Sequence, residues 1–128
     1  MQNPGMTRTF NAPFDEVLER ITVALSQEGF GILTEIDVDA TLKKKLGVEF
    51  GPYRILGACN PLLAHRALTA DPRIGLMLPC NVVVRAVPDG TEVAVFDPMT
   101  FAGESAPAAI RELAVEAAGR LDRALTAA

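Results

Sequence analysis

The chain has 128 residues, of which 49% are hydrophobic and 22% are charged, a mixture typical of one folded globular domain. No apolar run approaches the roughly 20 residues that span a bilayer, so no membrane partner is expected. The formal net charge is −4, whereas binding to a phosphate backbone requires clustered Lys and Arg, so no nucleic-acid partner is expected either.

The chain's organisation indicates a single domain over residues 1–128, because no internal repeat and no low-complexity linker interrupts it. The first five residues lack the charged start and the apolar core of a signal peptide. This predicts a cytoplasmic protein, in which disulfides are not expected at rest.

The first third of the chain predicts a strand, a helix and a second strand. Residues 6–10 alternate threonines with larger side chains, as an opening strand does. The segment 11–13 (NAP) then begins a helix that Gly29 ends. That helix carries apolar side chains at the spacing of one helical face: Phe14, Val17, Leu18, Ile21, Ala24 and Leu25. Residues 30–38 form the second strand, with Ile36 on the side of Phe30 and Ile32, and we expect it to pair with the first.

The middle third predicts two short helices around a third strand. Asp39 is the expected cap of a helix that ends at Gly47, and residues 53–59 follow as a strand. Asn60 and Pro61 are a strong helix-start signal, because Asn accepts a hydrogen bond from an early amide and Pro lacks the amide that would go unpaired. The resulting helix over 61–70 presents Leu63, Ala64, Ala67 and Leu68 on one face and His65 and Arg66 on the wetter face.

The last third predicts a hairpin and a terminal helix. The β-branched runs 81–87 and 91–97 are joined by 88–90 (PDG), which is a hairpin turn signal. Residues 98–104 form a loop, and 105–107 (SAP) begin a helix with a buried stripe: Ile110, Leu113, Ala114, Ala117, Leu121 and Leu125.

These elements give the order β-α-β-α-β-α-β-β-α, which predicts an α+β fold. The architecture is a two-layer sandwich, a mixed and mostly antiparallel sheet with helices on one face. Such a sheet leaves its second face bare. If that face is as apolar as the runs 82–84 and 93–96 suggest, a second copy of the chain is the simplest cover, and we expect a homodimer.

Two cysteines are the main candidates for chemistry. Cys59 ends the third strand and Cys80 precedes the fourth, and each is followed by an asparagine. If these strands are antiparallel, both sulfurs lie at the same edge of the sheet. Cys59 also precedes the predicted cap Asn60, where unpaired helix amides favour a thiolate.

Several roles remain open for these residues. Both cysteines can be small buried hydrophobes, the usual role of a free cysteine. As metal ligands, Cys59 and Cys80 with His65 suit a soft ion such as Zn(II) or Cu(I). As a nucleophile, Cys59 needs a base, and His65 is the only histidine. Asn60 and Asn81 can donate to an oxyanion or can serve as caps and turn residues.

Three motifs resemble the domain-of-unknown-function 302 family: residues 29–37 (GFGILTEID), 53–61 (YRILGACNP) and 75–84 (GLMLPCNVVV). They occur in the family's order and span most of the chain. The resemblance implies a small α+β domain, often homodimeric, with no assigned biochemical role. It also implies that the two Cys-Asn pairs are shared pocket elements, which places them here at Cys59, Asn60, Cys80 and Asn81. The family pattern does not require His65.

The sequence therefore predicts a homodimeric module that binds a small ligand or a soft metal in a pocket lined by the Cys-Asn pairs. Cys59, Asn60, Cys80 and Asn81 are the expected ligand-binding residues, and Cys59 and Cys80 the expected metal ligands. The alternatives are a thiol-dependent enzyme that uses Cys59, with Cys80 as a second or resolving thiol, and a purely structural interaction domain. No motif in the sequence identifies a cofactor or a reaction.

Overall fold

The computed structural model describes residues 5–100, 102 and 105–128, and its element order confirms the predicted one. In chain order the elements are β1 (Gly5–Phe10), α1 (Phe14–Gln27), β2 (Gly31–Asp37), α2 (Val38–Leu46), β3 (Tyr53–Cys59), α3 (Pro61–Ala70), β4 (Cys80–Val87), β5 (Gly90–Phe96) and α4 (Ala108–Ala127). Two 3₁₀ helices that the sequence pattern did not predict cover Pro72–Met77 and Pro98–Thr100. Of the predicted loop 98–104, Phe101, Gly103 and Glu104 lie outside the described residues.

The five strands form one sheet in the order β1-β5-β4-β3-β2, and each pairing is antiparallel. The predicted α+β class is therefore confirmed, and the sheet is antiparallel where a mixed one was expected. The expected pairing of the second strand with the first is wrong, because β2 pairs with β3 and β1 pairs with β5. Strands β1 and β2 form the opposite edges of the sheet, so α1 connects the two edge strands and does not connect neighbouring strands.

The covered face of the sheet holds the core. Val82 on β4 pairs with Leu56 on β3 and with Val95 on β5, and each of the three is buried. Helices α1 and α4 pack on this face through the stripes that the sequence predicted. The buried members of these stripes in the main core are Val17, Ile21, Ala24, Leu25, Leu121 and Leu125, and Ile110 and Ala114 of the α4 stripe are buried in a smaller second core. Within the described residues, no helix is both long enough and apolar enough to cross a bilayer.

The opposite face lacks this helical cover and carries a short apolar row. Val83 pairs with Ile55 on one side and Ala94 on the other, and Ile36 follows Ile55 at the edge. Strand alternation thus places Val82, Val84, Val93 and Val95 on the helix side and leaves the row of Ile36, Ile55, Val83 and Ala94 on the open side. The second face is apolar at its centre, although less so than the two valine-rich runs suggested.

Strand β2 contains a register shift that the sequence pattern did not reveal. The pairing with β3 skips from Ile32 to Thr34, leaving Leu33 as the extra residue, 67% exposed. A bulge of this kind reverses the alternation beyond it. Ile36 consequently lies on the open face and not, as expected, on the side of Ile32.

Helix α2 is capped two residues earlier than expected. Asp37, not Asp39, is the N-cap, and its side chain accepts a hydrogen bond from the Ala40 amide at 2.9 Å. Asp39 instead accepts from the backbone amides of Phe50 and Gly51, each at 2.9 Å, and so ties the start of the helix to the approach of β3. The predicted end at Gly47 is confirmed by its left-handed backbone, with φ of 68°.

Candidate functional site

A cavity of about 60 Å³ lies between the end of β3, the start of β4 and the helices α3 and α4. Its walls are almost entirely apolar, and the residues that line it include both cysteines and Asn60. The other lining residues come from the two helices, from Phe30, Ala58 and Leu78, and from the 3₁₀ helices at Ile74 and Pro98. The part of the cavity nearest α4 adjoins a small second core of Ala102, Ile110 and Ala114.

The strand register brings the two cysteines to this cavity. Ala58 on β3 pairs directly with Cys80 on β4, and Cys59 is the next residue along β3. The prediction that the end of one strand and the start of the other share a sheet edge is therefore confirmed. Cys80 is only 7% exposed, whereas Cys59 is half-buried, and both are free thiols.

Asn60 caps α3, as the sequence predicted, and also ties the start of α3 to the end of α1. Its Oδ1 accepts a hydrogen bond from the Leu63 amide at 3.2 Å, and its Nδ2 donates to the Glu28 carbonyl at 3.4 Å. Arg120 of α4 donates to the same Glu28 carbonyl at 3.2 Å. Three helices are thus joined at one carbonyl beside the cavity. Both the oxygen and the nitrogen of the Asn60 side chain already have hydrogen-bond partners.

A close approach of Pro79 to Gly57 positions the segment that leads into Cys80. A Cβ atom at Gly57 would lie 2.8 Å from Pro79 Cγ and closer still to Thr34 Oγ1, so only glycine fits this space. Gly57 pairs with Asn81, directly after Cys80. The glycine therefore allows β4 to begin at the point where its first residue lines the cavity.

The cavity favours neutral groups. Burial of Cys80, together with the neighbouring Cys59, raises the pKa of the Cys80 thiol to about 11. At neutral pH the Cys80 side chain is consequently an uncharged thiol, which acts as a small polarizable hydrophobe.

The remaining predicted residues lie elsewhere. Asn81 is exposed on β4 and does not line the cavity, so the structure brings together three of the four expected ligand-binding residues. His65 is exposed on α3, as predicted, and is also absent from the cavity wall. Among the residues that the structure describes, no group of three or more His, Cys, Asp or Glu side chains is arranged to hold a metal ion.

The helical half of the cavity wall was not identified from the sequence as a functional surface. Its residues are Leu63, Ala64 and Ala67 of α3 and Ile110, Leu113, Ala114 and Ala117 of α4. The sequence assigned both groups to buried faces, because their helical spacing is the same as that of ordinary core residues. The one signal that could have been used is their size: four of the seven are alanines, which leave space where two helices approach the same strand ends.

Comparison with known proteins identifies the family and a structural relative. The family model "DUF302: Domain of unknown function DUF302" matches residues 6–128. The crystal structure of an uncharacterised conserved protein DUF302 from Bacillus stearothermophilus superposes with a TM-score of 0.88 and 32% sequence identity, covering 98% of each chain. No curated protein matches the sequence significantly. With a family match over nearly its whole length and a relative of the same fold, the chain belongs to the DUF302 family.

Proposed function

We propose that this protein is a binding module whose cavity receives the apolar end of a small ligand beside Cys59 and Cys80. The observation that carries the proposal is the cavity itself, almost entirely apolar and bordered by both thiols. Protein cores are close-packed, and voids larger than a water molecule are few in a domain. A cavity at the junction of strand ends and helix ends is in the kind of place where small-molecule sites occur.

The volume limits what can enter. Sites that enclose a whole drug-sized molecule measure about 300 to 1,000 Å³, several times more than the 60 Å³ here. A cavity needs about 10 to 15 Å³ of this kind of volume to hold one water molecule, so the cavity accommodates a group of a few heavy atoms. The ligand we propose is therefore amphipathic, with a short apolar end inside and its polar part outside.

The surface beside the cavity is suited to such a ligand. Leu76 and Met77 are 88% and 44% exposed and directly precede Leu78, which lines the cavity. Cys59, half-buried at the wall, offers a polarizable sulfur, whereas the Asn60 amide already has partners. Selectivity would then come from shape and from sulfur contacts more than from hydrogen bonds.

The alternatives have less support. A thiol-dependent enzyme needs a base near Cys59, and His65 is exposed away from the cavity wall. Burial raises the pKa of the Cys80 thiol to about 11, so this thiol is protonated at neutral pH and would resolve an intermediate too slowly for rapid turnover. A soft metal would find two thiols in the cavity, and within the described residues no third Cys, His or carboxylate joins them.

A series of straight-chain alcohols from ethanol to 1-hexanol, titrated into the reduced protein and followed by amide NMR shifts, tests the binding proposal. Each buried methylene contributes about 0.8 kcal/mol, or about fourfold in affinity. We expect affinity to rise by that factor per carbon, to level off once the cavity is filled, and the shifts to centre on Cys59, Ala64 and Ala114. A rise without a plateau would indicate non-specific surface binding and overturn the proposal.

A matched pair of variants on α4 makes this test specific. Ala114→Val adds two methyl groups inside the cavity and should bring the plateau to a shorter alcohol or abolish binding. Ala109→Val makes the same change at an exposed position of the same helix and should leave the series unchanged. Equal behaviour of the two variants would rule out the cavity as the binding site.

We further propose that the open sheet face binds a second copy of the chain. Its central row, Ile36, Ile55, Val83 and Ala94, is apolar. On one side of the row, Arg85 and Glu92 neutralise each other through an ion pair at 3.1 Å. Two such faces can meet without like-charge repulsion, although the whole chain carries −4.

The neighbouring surface extends this face. Phe50 is 56% exposed and makes an edge contact with Tyr53, with ring centroids 5.6 Å apart. Tyr53 pairs with Arg85, so the aromatic pair continues the open face beyond the central row.

Sedimentation velocity at several concentrations tests the dimer. The wild type should sediment as a dimer, and Val83→Lys should sediment as a monomer with an unchanged circular dichroism spectrum. Val115→Lys places the same charge on an exposed part of α4, where Val115 is 58% exposed, and should remain dimeric. A monomeric wild type, or a dimer that survives Val83→Lys, would refute the proposed interface.

A further inference from the structure

We infer that Cys59 and Cys80 are a reversible disulfide pair whose oxidation closes the cavity between β3, β4, α3 and α4. The inference deepens the proposed binding function by naming a means of its regulation. The disulfide itself does not depend on the identity of any ligand. The two claims can therefore fail separately.

The backbone separation fits a disulfide. Cross-strand partners in an antiparallel pair lie about 4.5 to 5.5 Å apart, and one residue along a strand adds about 3.3 Å at right angles. Since Ala58 is the partner of Cys80, the Cα atoms of Cys59 and Cys80 are about 6 Å apart, within the range of about 4.4 to 6.8 Å found in disulfides.

The position of Cys59 at the end of β3 allows its side chain to reach the side of the sheet where Cys80 lies. Within a strand, successive side chains point to opposite faces, which would separate Cys59 from Cys80. Cys59, however, is the last residue of β3, where the chain turns into the cap at Asn60. Both cysteines line the same cavity, so the two thiols face a common space.

The two thiols differ in access, which sets the order of the chemistry. Cys59 is half-buried and can meet a reagent from solvent, whereas Cys80 is 7% exposed. With a small disulfide as oxidant, the Cys59 thiolate attacks one sulfur, forms a mixed disulfide and expels the first thiol. Cys80 then loses its proton and attacks the Cys59 sulfur, expelling the second thiol. The small disulfide is reduced to two thiols, and the cysteine pair is oxidised to one disulfide.

Closure changes the cavity because its volume is small. A disulfide brings the two sulfurs to about 2 Å and so moves two of the side chains that line a space of only 60 Å³. We expect the oxidised protein to exclude the apolar groups that the reduced protein admits. Reduction by a dithiol should restore the open cavity.

Titration of the reduced protein with 4,4′-dithiodipyridine, at low protein concentration, tests the disulfide. We expect two thiopyridone molecules to be released per chain, no pyridyl group to remain, and the mass to fall by two hydrogen atoms. A digest should contain one cross-linked peptide that joins Cys59 to Cys80. A pyridyl group retained on the wild type, or a link between two chains, would overturn the inference.

Two single variants provide the controls. Cys80→Ser should release one thiopyridone and keep a pyridyl group on Cys59, because no second thiol follows. Cys59→Ser should react at Cys80 far more slowly, at a rate close to that of local opening. If Cys80 reacts as fast in this variant as in the wild type, the assigned order is wrong.

A final measurement separates closure from disulfide formation. 1-Butanol should shift the Ala114 amide in the reduced protein, leave it unshifted in the oxidised protein, and shift it again after dithiothreitol. Unchanged binding to the oxidised protein would overturn closure. If the reduced protein binds no 1-butanol while the disulfide forms, the proposed binding function fails and the disulfide pair stands.

Discussion

Arg8 of β1 donates hydrogen bonds from Nη1 to the carbonyl of Leu125 at 2.8 Å, and to that of Thr126 at 2.7 Å, at the end of α4. Its guanidinium also lies 4.2 Å from the ring centre of Phe10. The last carbonyls of a helix have no partners within the helix, and a cation there is favoured by the helix dipole. An edge strand is thereby fastened to the helix that forms one wall of the cavity.

Replacing Arg8 by Met should therefore lower stability. The methionine keeps much of the apolar stem and loses the charged hydrogen bonds, each of which is worth about 1.5 to 3 kcal/mol when well shielded. Because Arg8 is partly exposed, we expect a loss of about 1 to 2 kcal/mol in urea denaturation. The same change at the exposed Arg66 of α3 should be nearly neutral, and equal losses at both positions would contradict the assigned role of Arg8.

The contrast between Arg8 and Asn60 shows which parts of the fold the sequence could predict. Asn60 caps a helix that begins at the next residue, so its role follows from local chemistry. Arg8 and Leu125 are 117 positions apart, and nothing near either residue indicates the contact. The pairing of β1 with β5, and the bulge at Leu33, escaped prediction for the same reason: both depend on partners that only the folded sheet supplies.

The candidate site was predictable to a similar extent. Once β3 and β4 were taken to be antiparallel, the shared edge of Cys59 and Cys80 followed from the two strand limits. Asn81 was grouped with them by its place beside Cys80, but alternation along β4 exposes it outside the cavity. The helical wall that encloses the space depends on how α3 packs on α4, which residue patterns do not determine.

Asn60 offers a second test, of the junction among α1, α3 and α4. Asn60→Ala removes both the acceptor for the Leu63 amide and the donor to the Glu28 carbonyl, and should cost about 1 to 2 kcal/mol. Asn60→Asp keeps the acceptor and loses only the donor, so it should cost less at neutral pH. Thermal denaturation of the three proteins measures both effects. An alanine variant as stable as the wild type would mean that the hydrogen bonds of Asn60 do not stabilise the fold.

Gly57 tests the packing that positions the start of β4. Gly57→Ala would force its methyl group against Pro79 and Thr34 and should cost about 1 to 3 kcal/mol, as overpacking of a filled space does. Gly31→Ala on the neighbouring strand is the matched control, because a Cβ there has no atom within 4 Å. It should change stability by no more than about 0.5 kcal/mol.

A double variant decides whether contact with Thr34 is the cause. Thr34→Ala removes the hydroxyl that a Cβ at Gly57 would meet, so it should recover part of the loss in Gly57→Ala. Strict additivity of the two changes in chemical denaturation would assign the loss to Pro79 or to the backbone instead.

The raised pKa of Cys80 makes stability fall at alkaline pH. Burial, with a contribution from Cys59, raises the pKa of the folded-state thiol from 9.0 to about 11. The unfolded chain therefore releases the Cys80 proton at a lower pH than the folded protein does. The stabilisation is fully present below about pH 9, is lost as pH rises from 9 towards 11, and amounts to about 2 to 3 kcal/mol in total.

The measurement is the free energy of unfolding in urea at several pH values from 8 to 11, under reducing conditions, for the wild type and Cys80→Ala. Both proteins contain the same lysines and the same tyrosine, so the difference between their pH profiles isolates the thiol. Cys59→Ala should retain most of the decline, since burial of Cys80 is its main cause. Parallel profiles for the wild type and Cys80→Ala would mean that the Cys80 thiol ionises in the folded protein as readily as in the unfolded chain, and the cavity would then admit charge.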